Sequence, residues 1–193
     1  LQPAAKEPVF TSGAAGAVGS IACQLARLRG ARVLGSASSA EKTAWLLREA
    51  GVDAVLDYRK ESIDEFLERE APDGIDCYFD NVGGAMLEGL LRKMKPYGRI
   101  GLCGAISQYE TKDYRRGPAD FFSVIEKSLS LRGFNAFLLS PAETTEIVER
   151  LKMLAAENRL KPSETVVEGL DFAAHAFAKL FDGGHVGKAI VKI

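Results

Sequence analysis

Histidine, cysteine and tryptophan are scarce in this chain: two, three and one among 193 residues. Zinc sites draw on clustered Cys and His at short spacings. Cys23, Cys77 and Cys103 form no C-x-x-C pair, and His175 and His185 stand far from all three, so no metal site is expected within the chain. Each cysteine sits in an apolar helix-like or strand-like run, which predicts buried, reduced thiols and a cytoplasmic setting. Charge of one sign is missing as well. Lys and Arg number 25 against 26 Asp and Glu, a net charge of -1, which argues against nucleic acid or an anionic membrane as the main partner. No apolar run approaches the ~20 residues of a membrane helix. Leu1-Gln2-Pro3-Ala4-Ala5-Lys6 lacks the organisation of a signal peptide, and the absence of an initiator Met is expected of a fragment or a processed product.

What is present is a hydrophobic content of 47%, enough for one α/β domain with a substantial core. Strand-like runs near 9–12, 32–36, 54–56, 75–79, 99–103 and 129–134 alternate with helical periodicity at 18–28, 40–49, 62–70, 85–94, 120–127 and 142–158. Strands separated by such helices imply right-handed βαβ units. The expected fold is therefore α/β, a Rossmann-type doubly wound parallel sheet with helices on both faces. Several strands are nearly all apolar, as they must be when both faces are covered. Pro72-Asp73-Gly74 and Pro96-Tyr97-Gly98 read as turns ahead of strands. Residues 1–163 make up this nucleotide-binding unit. Residues 164–193 read as strand, helix and strand, which either extend the sheet or return to a second domain.

The stretch Val9-Phe10-Thr11-Ser12-Gly13-Ala14-Ala15-Gly16-Ala17-Val18-Gly19 joins the first strand to the first helix. The opening N–H groups of a helix lack internal partners and its dipole favours negative charge there, so a small-residue loop at that point suits a pyrophosphate. A full G-x-G-x-x-G would need Gly where Ala14 stands. The end of the second strand selects the dinucleotide. An NAD site usually places Asp or Glu ~20 residues beyond the loop to bind the ribose hydroxyls. Here Ser36-Ala37-Ser38-Ser39 is followed by Lys42, and hydroxyls with a cation favour a 2′-phosphate, hence NADP(H). The plainer reading is a helix capped by Ser39 with an exposed lysine. Other nucleotide chemistries fail on motif. No tyrosine is followed by Lys four residues later, and Gly19-Ser20-Ile21 cannot serve as a phosphate-loop Gly-Lys-Ser/Thr.

Taken together, Gly13-x-x-Gly16-x-x-Gly19, Ser39-Ala40-Glu41-Lys42, Asp57-Tyr58, Phe79-Asp80-Asn81-Val82-Gly83-Gly84, Cys103-Gly104-Ala105-Ile106-Ser107-Gln108-Tyr109, Arg132-Gly133-Phe134 and Gly183-Gly184-His185-Val186-Gly187-Lys188 resemble the zinc-independent medium-chain dehydrogenase/reductases. The similarity is greatest to the prostaglandin reductase / leukotriene B4 12-hydroxydehydrogenase branch, whose first loop often reads G-x-x-G-x-x-G. The resemblance implies that Gly16, Ala17, Val18 and Gly19 present backbone to the pyrophosphate. Lys42 would bind the 2′-phosphate with Ser38 or Ser39 and Tyr58. Asn81 would bound the cofactor cleft, and Cys103, Gly104, Ala105, Ile106 and Ser107 would pass beneath the nicotinamide half. Phe134, Asn135 and Ala136 would hold the carboxamide through backbone, and Tyr109 would face the substrate. His185 stands where the family usually has Asn.

Each role has a plainer competitor: a turn for Asn81, a core thiol for Cys103, packing for Tyr58, a loop tyrosine for Tyr109. Arg115-Arg116 would attract a substrate carboxylate or form a solvated face. The implied reaction is NADPH-dependent reduction of the C=C bond of an enone or enal of the 15-oxoprostaglandin type, with the Tyr109 hydroxyl near the developing enolate. A quinone oxidoreductase of the same superfamily and a non-catalytic NADP-binding module are the alternatives. Family members carry an N-terminal, mostly β substrate domain, whereas a dozen residues precede Gly13 here. The chain is therefore expected to bind NADPH and to reduce enones poorly by itself. The superfamily often forms homodimers through the nucleotide domain, with the strand near 129–134 the candidate edge.

Overall fold

Strand pairing sets the architecture. The computed structural model describes residues 1–109 and 117–193. Arg115 and Arg116 lie outside them. Among the described residues, six parallel strands form the main sheet: β1 (Pro8–Thr11), β2 (Arg32–Ala37), β3 (Ala54–Asp57), β4 (Ile75–Asp80), β5 (Met94–Leu102) and β6 (Ser130–Gly133), in the order β3-β2-β1-β4-β5-β6. The connecting helices are α1 (Ala17–Leu28), α2 (Ala40–Arg48), α3 (Ile63–Glu70), α4 (Gly84–Lys93) and α5 (Phe122–Glu126), and α6 (Pro141–Ala156) follows β6. This is the doubly wound order expected from the sequence, and the winding reverses between β1 and β4.

Alternation along the strands builds two cores. Val9, Val33 and Cys77 are buried in one cluster with Cys23 and Ala26 of α1 and Leu46 of α2. Their chain neighbours Phe10, Leu34 and Tyr78 are buried in the other, with Phe66 and Leu67 of α3 and Leu90 and Leu91 of α4. Phe10 meets Phe66 and Tyr78 edge-on, with ring centroids 6.2 and 6.0 Å apart. The thiols are free. Cys23 and Cys77 are buried, and burial pushes the Cys23 thiol up to about 12. Cys103 is only partly buried and lies just past β5, outside the strand expected to hold it.

Helix starts follow local chemistry. Ser62 Oγ accepts from the Glu65 N–H and the Glu65 carboxylate accepts from the Ser62 N–H, a capping box on α3. Ser140 and Glu143 repeat it on α6, with Pro141 in the first turn.

One sequence expectation needs correction. Pro96-Tyr97-Gly98 is no turn ahead of β5, because the strand starts at Met94, which pairs with Ile75. The pairing shifts register between Ile75 and Cys77, Tyr97 takes a φ of +63, and its N–H donates to the Lys127 carbonyl at 2.7 Å. A bulge thus absorbs residues that otherwise signal a break. Of the two readings left open for residues 164–193, extension of the main sheet is not the one observed. β7 (Glu164–Glu168) and β8 (Lys188–Lys192) pair with each other in parallel, joined through α7 (Ala173–Asp182).

Candidate functional site

The carboxyl ends of β1, β2, β4 and β5 hold almost every residue singled out from the sequence. Beyond β1 the loop is fixed by β2: the Gly13 N–H donates to Ser36 Oγ at 3.2 Å and the Ala14 N–H to the Ser36 carbonyl at 3.0 Å. Ala14 is fully buried, and a Cβ on Gly35 of β2 would lie 2.7 Å from its methyl. The glycine missing from position 14 is thus compensated by one across the strand pair. A Cβ on Gly19 would sit 2.3 Å from the Gly13 carbonyl oxygen, so the helix can pass the loop only with Gly there. The first helical bond of α1 runs from the Ser20 N–H to the Gly16 carbonyl at 2.9 Å. Ahead of it stand the N–H groups of Ala17, Val18 and Gly19, with no side-chain cap and no acidic residue in the first turn. Such an end accepts an anion.

The reversal of strand order opens the crevice between β1 and β4, and a buried polar cluster shapes it. Asp80 is 1% exposed, and its Oδ1 accepts from Ser12 Oγ at 2.9 Å, the Tyr78 hydroxyl at 2.5 Å and the N–H groups of Val82 and Gly83, both at 2.9 Å. Burial, reinforced by the neighbouring Asp80, pushes the Tyr78 phenol well above its usual range. Ser12 Oγ in turn accepts from the Asn81 N–H at 2.9 Å, and Asn81 Nδ2 donates to the Ser12 carbonyl at 2.8 Å. Asn81 therefore spans the crevice floor. Asp80 and Ser12, which set its position, were not singled out from the sequence, although a carboxylate closing an apolar strand was the available signal.

The Cys103–Ser107 segment is stitched to the same turn. Cys103 and Gly104 N–H groups donate to the Asp80 carbonyl, Ile106 N–H to Asn81, and Ser107 N–H to Val82. Burial, then Asp80, raises the Cys103 thiol, which keeps it a neutral wall group. Tyr109 is 59% exposed and folds back so that its hydroxyl accepts from the Ala105 N–H at 3.3 Å. Asp80, Gly84, Leu87, Cys103, Gly104 and Tyr109 are among the walls of a cavity of about 420 Å³. Phe134 follows β6, its N–H held by the Leu102 carbonyl at 2.9 Å, and Asn135 Oδ1 accepts from the Phe137 N–H at the short turn that begins at Ala136. Phe134 itself lines a different cavity, along α1.

A third group gathers beyond β2. Ser38 is buried, and Ser39 caps α2, its Oγ accepting from the Lys42 N–H at 3.3 Å. Both readings of Ser39 meet here, because the cap places Lys42 one turn inside the helix. Lys42 is only 9% exposed and, among the described residues, has no ion pair. Burial holds its ammonium below the usual lysine range, and Arg59 adds to the depression while Glu41 opposes it. Tyr58 follows β3, half exposed beside Arg59, a cation that the sequence reading passed over. A Cβ on Gly183 would lie 2.6 Å from Ser38 Oγ and 3.4 Å from Lys42 Nζ. The C-terminal part therefore closes one side of this pocket, and His185 follows two residues later.

The arrangement offers a backbone anion cradle, a polar crevice and a buried cation with hydroxyl partners, all along one edge of the sheet. A family profile described as zinc-binding dehydrogenase matches residues 17–153. Prostaglandin reductase 1 of Bos taurus is 42% identical over 188 residues, 96% of this chain and 56% of that protein. The 2-alkenal reductase (NADP(+)-dependent) of Nicotiana tabacum is 38% identical over 195 residues, 99% of this chain and 55% of that protein. The crystal structure of CurA in complex with NADPH from Vibrio vulnificus superposes with a TM-score of 0.91 at 31% identity, covering 99% of this chain and 58% of CurA. The chain spans about half the length of the curated relatives it matches.

Proposed function

The chain belongs to the zinc-binding dehydrogenase family, and from that premise we propose that it is the NADP(H)-binding part of a reductase acting on the activated C=C bond of α,β-unsaturated ketones and aldehydes. The relatives named for prostaglandin, 2-alkenal and pulegone reduction support the substrate class. The buried Lys42, without an ion pair among the described residues, carries the cofactor assignment, because a desolvated cation beside Ser38 needs an anion more than a solvated one does.

The residues present fit the group. The uncapped N–H groups of Ala17, Val18 and Gly19 suit the pyrophosphate. Lys42, Ser38, Ser39 and Tyr58 surround the place for the 2′-phosphate, and Arg59 adds a second positive charge there. Asn81 and the Cys103–Ser107 segment wall the crevice at the switch point, with Phe134, Asn135 and Ala136 beyond β6 available through backbone. When bound, NADPH supplies a hydride to the β-carbon of the enone. Tyr109 has the donor for the carbonyl oxygen. Its phenol oxygen accepts from the Ala105 N–H, which leaves the hydroxyl proton to donate and polarises it toward donation. Leu87 and Leu102 line the same cavity, and Asp80, Glu88 and Gln108 add polar walls. The reaction as proposed takes its hydride from the cofactor and its proton donor from Tyr109, so zinc has no step to perform in it. A cytoplasmic setting goes with the free thiols.

Two parts of the chain serve the larger molecule in this reading. Residues 164–193 return to a substrate domain. β6 is an edge strand, and next to it Phe122, Ile125, Phe137 and Leu138 leave large apolar area exposed, which suits a homodimer contact.

Calorimetric titration of NADPH and NADH into Lys42→Ala is the test. A charge-assisted contact worth about 1.5–3 kcal/mol predicts NADPH affinity down by roughly 10- to 100-fold with NADH changed by less than about threefold. Equal losses for the two cofactors would remove the 2′-phosphate assignment.

A further inference from the structure

Between α7 and β8 the chain crosses the carboxyl edge of the main sheet as a strap, Gly183–Gly187. Glycine fixes both of its ends. Gly183 has a φ of +72 and no room for a side chain against Ser38 and Lys42. Gly187 also has a φ of +72, and a Cβ there would fall 1.9 Å from the Ser163 carbonyl oxygen. The Gly187 N–H donates to the Ala15 carbonyl at 2.8 Å, and Gly187 bridges to Gly16 in parallel. The strap thus runs from the Lys42 pocket to the glycine loop, and His185 stands at its middle.

The surroundings of His185 are those of a ligand in want of an anion. Its Nδ1 is buried and, among the described residues, has no hydrogen-bond partner. Burial holds the imidazole below its usual range, and the Lys42 charge from α2 pushes the same way. The carbonyl of Lys179 on α7 opposes both. Arg59, in the turn after β3, and Glu41 act on Lys42 in turn. Without an anion the ring is neutral near pH 7. A phosphate beside Lys42 would cancel the field that keeps the proton off and give Nδ1 a partner.

We infer that His185 is a second, proton-dependent ligand of the 2′-phosphate, so that the strap makes the preference for NADP(H) over NAD(H) depend on pH. This rests on the assignment of the Lys42 pocket to that phosphate. His185 takes up a proton as the phosphate arrives, and the preference rises as the pH falls toward the ordinary histidine range.

Titrations of NADPH and NADH between about pH 6 and pH 8 test it, on the wild-type chain, His185→Asn and Lys42→Ala. The wild-type NADPH-to-NADH preference should rise by about tenfold toward the acid end as the imidazole charges. In His185→Asn it should stay level or fall, because the phosphate monoester loses its second charge near a pKa of ≈ 6. An unchanged slope in His185→Asn overturns the inference. So does an equal slope for NADH, which would put the histidine on the pyrophosphate instead. Lys42→Ala separates the two levels. If it removes the preference at every pH while His185→Asn alters nothing, the pocket stands and the histidine role falls. If it leaves the preference intact, the pocket assignment itself fails. Should His185→Asn fold poorly, titrating the wild type in two buffers of different ionisation enthalpy decides. NADPH should bring net proton uptake at pH 7 beyond that with NADH, and its absence refutes the proposal.

Discussion

A methyl group at position 19 has nowhere to go. The Gly13 carbonyl oxygen and the Ala14 Cα, both backbone, lie within 3 Å of where it would sit. Gly19→Ala should therefore cost about 1–3 kcal/mol through strain and lower the midpoint of urea unfolding, whereas Val18→Ala, half exposed on the same helix, should leave the midpoint within error. Asp80 lies at the other extreme of visibility. Four donors converge on its Oδ1, and Asp80→Ala strands them in a dry crevice at a cost on the order of 3 kcal/mol or more, with Tyr78→Phe losing less, about 1 kcal/mol. Denaturant titration checks both, and similar losses would mean that the cluster is wetter than it looks. Gly19 and Lys42 drew attention through their spacing from a strand end, and Asn81 through the family resemblance alone. Asp80 and Arg59 were opaque. Their roles depend on who points at them across two strands, and nothing local records that.

Among the elements, the six sheet strands were legible because apolar runs bounded by turn residues have few other uses. β5 shows where that logic ends. Proline, a left-handed Tyr97 and glycine look like punctuation, yet the pairing of Met94 with Ile75 carries the strand through them as a bulge. The 164–193 segment shows a second limit. Its strand-helix-strand pattern was readable, but pairing of β7 with β8 rather than with the main sheet is a tertiary choice. The attachment points are specific: Gln24 Oε1 accepts from the Lys161 N–H at 2.7 Å, and the Gly187 N–H donates to the Ala15 carbonyl at 2.8 Å. Gly187→Ala should displace the strap while leaving the main sheet intact. The expected outcome is an unfolding midpoint within about 1 kcal/mol of wild type and an NADPH affinity several-fold weaker. Circular dichroism and calorimetry on one preparation check the pair of outcomes.

For the whole molecule, charge balance and apolar exposure are the governing quantities. With the net charge at -1, little long-range repulsion opposes self-association, and the exposed ring of Phe137 with Ile125 of α5 lies beside a free strand edge. Sedimentation should give a dimer, and Ile125→Glu should shift it to monomer; a monomeric wild type at micromolar concentration would end that reading. Stability should also respond to pH through His185. Its pKa is lowered on folding, so the unfolded chain binds the extra proton. The stability is present above the unfolded value of about 6.5 and is lost as the pH falls through the folded value. Thermal unfolding at pH 8 and 5.5 should show the loss, and His185→Asn should flatten it.

The hydrogen bond from Gly187 to the Ala15 carbonyl also has a consequence for how the protein is made. A ribosome releases the glycine loop well before Gly187, so the loop must wait for the intervening chain before its outer edge is held. A nascent chain halted before that point would have a finished sheet with an anion cradle open on one side. Any protease that nicks the strap would return the mature protein to the same half-built state.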